Sequence, residues 1–166
     1  MFSFKSATIK DAPLIRNLAL QIWSDTYKDI LSAEQLNYMF EMMYSIESLQ
    51  KQMTEFGHRF FIVWQEHVAV GYISIEQKNE KLFNFQKIYS LPSLHGQGLG
   101  RYLVEEGIAY LKKNYETPFT IELYVNRENK AVGFYKHIGF REVATRDHAI
   151  GNGYYMNDFI MNLEVF

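Results

Sequence analysis

The stretch Ser90 to Arg101, SLPSLHGQGLGR, concentrates residues whose types and spacing could do chemistry. Glycines alternate at 96, 98 and 100, and Leu99, Leu103, Val104, Ile108 and Leu111 follow at spacings that fall on one face of a helix. A glycine-rich helix start suits an anion: the backbone can approach closely, and the unpaired amides of the first turn and the positive end of the helix dipole point at the ligand. A pyrophosphate fits that description. Lys112, Lys113 and Asn114 close the helix, in keeping with the negative end of its dipole. The spacing lacks the last glycine of the dinucleotide fingerprint, and no Lys-Ser or Lys-Thr pair follows to make a Walker loop. Read alone, the segment is either an anion loop or only a tight strand-to-helix turn.

Other chemistries are bounded by composition. The 166 residues contain no cysteine, which removes disulfides, thiolate metal sites and cysteine nucleophiles together. The five histidines show no metal-ligand spacing, so no metal is expected. A formal charge of -2 supplies no global field toward nucleic acid or membrane, and neither is expected as a partner. The longest purely apolar run, Phe60 to Trp64, is far short of a membrane span, and the N-terminus has no signal-peptide pattern. A cytoplasmic location is the expectation. No repeat, charge block or linker divides the chain, so residues 1–166 read as one domain.

The elements that must position the loop follow from periodicity. Asp11 is placed as a helix N-cap with Pro13 in the first turn, and Ile15, Leu18, Ala19 and Ile22 form the buried stripe. A second helix starts at Ser32, with Gln35 spaced for a capping box, and buries Leu36, Met39, Phe40 and Met43. A third follows Ser45 and buries Ile46, Leu49, Met53 and Phe56. These methionine and aromatic stripes read as core packing. The period then changes to that of strands over Arg59 to Gln65, Val68 to Gln77 and Leu82 to Tyr89, a predicted antiparallel meander. Apolar residues on both faces of Phe60 to Trp64 predict a strand covered on both sides. After the glycine loop and its helix, Phe119 to Val125 alternates as a strand, and a helix over Asn129 to His137 stops at Gly139. Phe140 to Arg146 and Tyr154 to Val165 finish as strands around the turn Gly151-Asn152-Gly153. The order is α+β with a mixed sheet.

Two stretches, in order and spacing, resemble the GNAT superfamily of N-acetyltransferases. His95-Gly96-Gln97-Gly98-Leu99-Gly100 is similar to that family's pyrophosphate loop, Q/R-x-x-G-x-G/A. Leu123-Tyr124-Val125-Asn126-Arg127-Glu128-Asn129-Lys130-Ala131, running on to Phe134-Tyr135-Lys136-His137-Ile138-Gly139-Phe140, is similar to L-x-V-x-x-x-N-x-x-A-x-x-F-Y-x-x-x-G-F. The match spans about Phe60 to Phe140. Within the family the chain looks most like bacterial spermidine/spermine N-acetyltransferases, through Trp23-Ser24-Asp25-Thr26-Tyr27 and Asn157-Asp158-Phe159-Ile160-Met161.

The resemblance implies a central mixed, mostly antiparallel sheet with helices on both faces, and acetyl-CoA lying between two splayed parallel strands that end near Tyr89 and Val125. By the same resemblance, backbone amides of Gln97 to Arg101 hold the pyrophosphate, with His95, Gly96, Gly98, Leu99 and Gly100 completing the loop. Backbone groups of Ile88, Tyr89 and Ser90 align the pantetheine and thioester, Asn129 contacts the cofactor arm, and Tyr135 lies beside the sulfur. His95 departs from the family's Gln or Arg. The implied reaction is direct attack by a primary amine of a small molecule, a polyamine among the candidates, in a ternary complex. Family members often pair, so a homodimer is a further expectation. The alternatives are a non-catalytic acyl-CoA-binding module and a transferase acting on a protein N-terminus or lysine.

Such a reaction needs a neutral amine, a stabilised oxyanion and a proton for the thiolate. An alkylamine with pKa near 10.4 is neutral in on the order of one part in a thousand at pH 7, a cost of roughly 4 to 5 kcal/mol, so a base or water relay is required. Tyr135 is the expected acid. Some relatives place a glutamate on the strand before the loop, but the positions here are Asn84 and Gln86, so the expectation for the base passes to Glu76, with Glu122 as a second carboxylate. Asp25, Asp29 and Glu41 on the N-terminal helices are placed either to attract a cationic acceptor or simply to face solvent.

Overall fold

The computed structural model describes residues 1–166. Seven strands form one sheet in the order β1-β2-β3-β4-β5-β7-β6. β1 (Phe2–Ser6), β2 (Arg59–Gln65), β3 (Val68–Asn79) and β4 (Leu82–Ser90) make the antiparallel meander; β5 (Phe119–Asn126) runs parallel to β4; β6 (Arg141–Gly151) and β7 (Tyr154–Val165) form a long antiparallel hairpin on its far side. The mixed, mostly antiparallel sheet matches the expectation.

Helices cover both faces because β2 to β4 are apolar on both. On one face α1 (Ala12–Tyr27), α2 (Ala33–Tyr44) and α3 (Ile46–Thr54) pack Ile15, Ile22, Phe40 and Leu49 over Phe60, Ile62 and Tyr72. On the other, α4 (Leu99–Asn114) and α5 (Ala131–His137) pack Leu99, Leu103, Leu111 and Tyr135 with Phe61, Ile73, Phe85 and Ile121. Phe60 to Val63 are therefore buried from both sides, as the unbroken apolar run predicted.

Several local expectations need correction. Asp11 stands at the N-cap of α1 without a side-chain cap bond; its carboxylate accepts from the Thr8 amide at 2.8 Å, closing a capping box one turn earlier with Thr8. Ser32 does cap α2 through the Gln35 amide at 3.1 Å, but the Gln35 side chain donates to the Tyr155 carbonyl at 2.9 Å, so the tie to β7 replaces the second half of the box. Ile46 and Phe56 are exposed, and Gln52 is buried on α3 in their stead. α5 begins at Ala131 because Asn129 holds the Ala131 amide with its side-chain oxygen at 2.9 Å, leaving Asn129 outside the helix.

Candidate active site

The parallel strands β4 and β5 stay paired only over Leu82↔Thr120, Phe83↔Ile121 and Asn84↔Glu122. β4 continues to Ser90 and β5 to Asn126 without pairing, so a wedge opens between them. A bulge helps to turn β4 away: its register on β3 jumps between Ser74↔Lys87 and Ile75↔Phe85, leaving Gln86 unmatched. The Leu91 amide donates to the Val70 carbonyl on β3 at 2.9 Å. Strand alternation then aims the amides of Ser90 and Ile88 the other way, into the wedge. The resemblance implied thioester-aligning backbone groups at Ile88, Tyr89 and Ser90, on this same stretch of β4.

At the mouth of the wedge the chain turns into α4. Gly96 and Gly98 take positive φ, +86° and +79°, with open space where a side chain would stand. Gly100 has a different reason: a Cβ there would lie 3.2 Å from the Phe134 ring, so a side chain at that position would press α5 away from the start of α4 by a few tenths of an ångström. The Gln97 amide is already donated to the Leu94 carbonyl at 3.2 Å, and that of His95 to Pro92 at 3.1 Å. The amides of the first turn of α4, Leu99, Gly100 and Arg101, have no carbonyl four residues back within the helix, and Gly98 stands beside them. The His95 side chain is exposed, and Arg101, also exposed, reaches Glu105 at 3.5 Å. A coenzyme with a pyrophosphate and a long flexible arm fits this bare turn followed by an open wedge.

Tyr135, on α5, is buried among Phe134 and Phe140. Burial, and next the neighbouring Tyr27 phenol, push its hydroxyl well above the ordinary tyrosine value, so it holds its proton at neutral pH. Tyr27 and Tyr89 share a hydrogen bond of 2.8 Å from opposite sides of the same region; burial raises Tyr27 to about 12. Tyr44 and Tyr72 make a second such pair at 2.6 Å.

Beyond the wedge, on the face of α1 to α3, lies a cavity of about 290 Å³. Its walls include Tyr27 of α1, Met39, Met42 and Met43 of α2, and Tyr89 of β4. Met39 and Met43, expected as plain core packing, thus also line a cavity, joined by the exposed Met42. Lys87 of β4, Tyr124 of β5, Arg146 of β6 and Asp158 of β7 supply the polar groups. Asp158, 3 % exposed, accepts from Arg146 at 2.9 Å; burial raises its carboxyl above the usual range against the pull of Arg146. The Arg146 guanidinium lies 3.8 Å from the centre of the Tyr124 ring. Burial lowers Lys87 to about 8, opposed by Glu76.

Glu76 lies behind this cavity. It accepts from the Gln86 side-chain Nε2 at 2.6 Å, and His58 approaches at 3.6 Å; Gln86 and His58 both line the cavity. Burial first, then the Lys87 charge, hold the His58 imidazole below its usual value, with Glu76 pulling upward. Glu122 is held elsewhere: it accepts from Asn84 at 2.7 Å and Lys78 at 3.1 Å, bonds that outweigh burial and keep its carboxyl below the usual range. Of the acidic helix residues, Glu41 is paired with Arg16 at 2.6 Å and Asp25 with Lys28 at 3.5 Å. Sequence reasoning gave no role to Lys87, Gln52, Arg146 or Asp158. Lys87 carries a signal, a lone charge in the apolar half of a central strand; the Arg146 and Asp158 pairing depends on the β6 to β7 register.

Residues 27–162 match the family described as an acetyltransferase (GNAT) domain. An uncharacterized N-acetyltransferase of Methanocaldococcus jannaschii is 32% identical over 91 residues, a match that takes in 50% of this chain but only 39% of that protein. The fold superposes on the PaiA N-acetyltransferase of Thermoplasma acidophilum, solved in complex with coenzyme A, with TM-score 0.82 and 22% identity over 99% of both chains. It also superposes on the SpeG spermidine N-acetyltransferase of Vibrio cholerae, with TM-score 0.67 and 22% identity over 98% of this chain and 93% of that one. The chain belongs to the GNAT family of acetyltransferase domains.

Proposed function

We propose that the enzyme acetylates a primary amine of a small molecule bound in the cavity, by direct attack in a ternary complex. The observation that carries this reading is the succession of the bare turn at Gly98, the wedge between β4 and β5, and a partly open cavity of about 290 Å³ that Tyr89 of β4 and Asn126 of β5 help to line. A cavity of that size suits a small acceptor better than a peptide segment.

Acetyl-CoA supplies the activated acyl group. The first-turn amides of α4 and Arg101 hold its pyrophosphate, and Asn129 borders its arm. The Ile88 and Ser90 amides, aimed into the wedge, orient the thioester carbonyl and stabilise negative charge on its oxygen. The Tyr135 hydroxyl, kept protonated by burial, gives its proton to the departing sulfur. Glu76, held between Gln86 and His58, takes the proton of the acceptor ammonium through a water relay.

A polyamine is one amine that the reaction would accept, and the spermidine enzyme among the structural neighbours favours it. The carboxylates expected to attract it do less: Glu41 and Asp25 are paired on the outer helices, and neither lines the cavity.

The test is free-thiol release from acetyl-CoA across a panel of small amines, polyamines and lysine peptides, with Tyr135→Phe as comparison. Acceptor-dependent release that falls about 100-fold in kcat in the variant, at unchanged acetyl-CoA affinity, is the expected result. Tight acetyl-CoA binding without release on any amine would favour the binding module. An unchanged rate in the variant would remove Tyr135 from the mechanism.

A further inference from the structure

The Lys87 side chain is 7 % exposed, yet it joins no ion pair. Its one hydrogen bond within the chain is to the Gln52 side-chain oxygen at 2.7 Å; the rings of Phe60 and Tyr44 lie 5.4 and 5.7 Å from the ammonium, and Glu76 and His58 act on it only through longer-range charge. An ammonium carries three donors, so two are left for a ligand. The arrangement is built rather than incidental. Gln52, itself 7 % exposed, donates to the Met43 carbonyl at 2.8 Å and to the Ser48 hydroxyl at 3.0 Å, which fixes its oxygen toward Lys87.

A buried cation with only neutral partners is costly, and a core position would be better served by an apolar side chain of similar length. The nearest carboxylate, Glu76, is engaged by Gln86 and His58. The other cation of the cavity, Arg146, is answered by Asp158. Lys87 is therefore the cation on the cavity wall with no carboxylate at ion-pair distance, Glu76 acting on it only from farther away.

We propose that the acceptor is an amine that also carries an anionic group, carboxylate or phosphate, and that Lys87 receives that group in the cavity. This rests on the acetyltransferase reading of the same site. Lys87 and Tyr89 lie on one face of β4, about 7 Å apart along the strand, and Tyr89 borders the wedge where the amine must meet the thioester. A spacer of about three or four carbons between amine and anion spans that interval. A polycation would instead bring a charge of the same sign against Lys87.

The experiment compares matched acceptors in the thiol-release assay: 4-aminobutyrate with butylamine, 3-aminopropylphosphonate with propylamine, and spermidine. The anionic member of each pair should have a kcat/KM at least tenfold higher, and the larger of the two ratios names the preferred anion. Lys87→Met should bring both ratios close to one, and Lys87→Arg should restore part of the preference. A preference for butylamine or spermidine, or a ratio that survives in Lys87→Met, overturns the proposal. Calorimetry separates this from failure of the catalytic reading. N-acetyl-4-aminobutyrate and N-butylacetamide are titrated into the protein saturated with coenzyme A. Tighter binding of the carboxylate, lost in Lys87→Met, supports the anion site even if no amine is turned over. Equal or absent binding of both overturns it.

Discussion

Lys87 and Glu76 show how a residue's role depends on what surrounds it rather than on its type. With Lys87 held near 8 by burial, between about pH 8 and 10.5 the unfolded chain keeps a proton that the folded chain has released. Raising the pH through that window should therefore stabilise the wild type relative to Lys87→Met by on the order of 3 kcal/mol. Urea midpoints of both proteins at pH 7 and pH 10 measure this; a gap that ignores pH would mean that Lys87 is not a buried charge. For Glu76 the relevant measurement is kinetic. If it accepts the proton of the ammonium, Glu76→Gln should lower kcat/KM at pH 7 at least tenfold, and the deficit should shrink at pH 9, where more amine is already neutral. A deficit that does not change with pH would leave Glu76 a structural partner of Gln86 and His58.

At the scale of elements, the turn into α4 and the start of α5 form one unit. Gly98 holds a left-handed conformation that an L side chain adopts at a cost of about 1 kcal/mol or more. Gly98→Ala should lower stability by about that amount and weaken acetyl-CoA binding, because the strained turn aims the first amides of α4. Gly133, inside α5 with open space at its Cβ position, provides the contrast. Gly133→Ala should be neutral or stabilising by up to about 1 kcal/mol. Chemical unfolding and calorimetry with acetyl-CoA read both effects, and equal behaviour of the two variants would dissociate the turn from the cofactor. These roles were legible early because they are local. The alternation of glycines and the apolar spacing behind them both lie within a few residues of the chain. The Ser32 cap was legible for the same reason, whereas the Gln35 side chain was not: its partner, the Tyr155 carbonyl, is supplied by a strand distant in sequence.

At the scale of the whole molecule, two apolar clusters share one sheet. β2 contributes Phe60 and Ile62 to one and Phe61 and Val63 to the other, so neither layer of helices can leave without exposing the strand that the other needs. Unfolding should follow a single transition, with Trp23 and Trp64 fluorescence and far-ultraviolet circular dichroism coincident in urea. Two separated midpoints would show that the halves are independent domains.

The sequence by itself determined the elements, the meander and the glycine turn, because helix and strand periods and turn residues act over a few neighbours. The resemblance to a family added the splaying of β4 from β5, which pair over only three positions. Only the tertiary structure decided the cavity on the face of α1 to α3. The cavity wall draws Met42 from α2, Gln52 from α3, Lys87 from β4, Arg146 from β6 and Asp158 from β7. Whether a charge there is paired or left alone depends on strand register and helix placement. Asp158 is answered because the β6 to β7 register sets Arg146 opposite it; Lys87 has no carboxylate at ion-pair distance because α3 brings it an amide oxygen instead. No spacing along the chain encodes that difference, since the partner of each charge lies on a separate element.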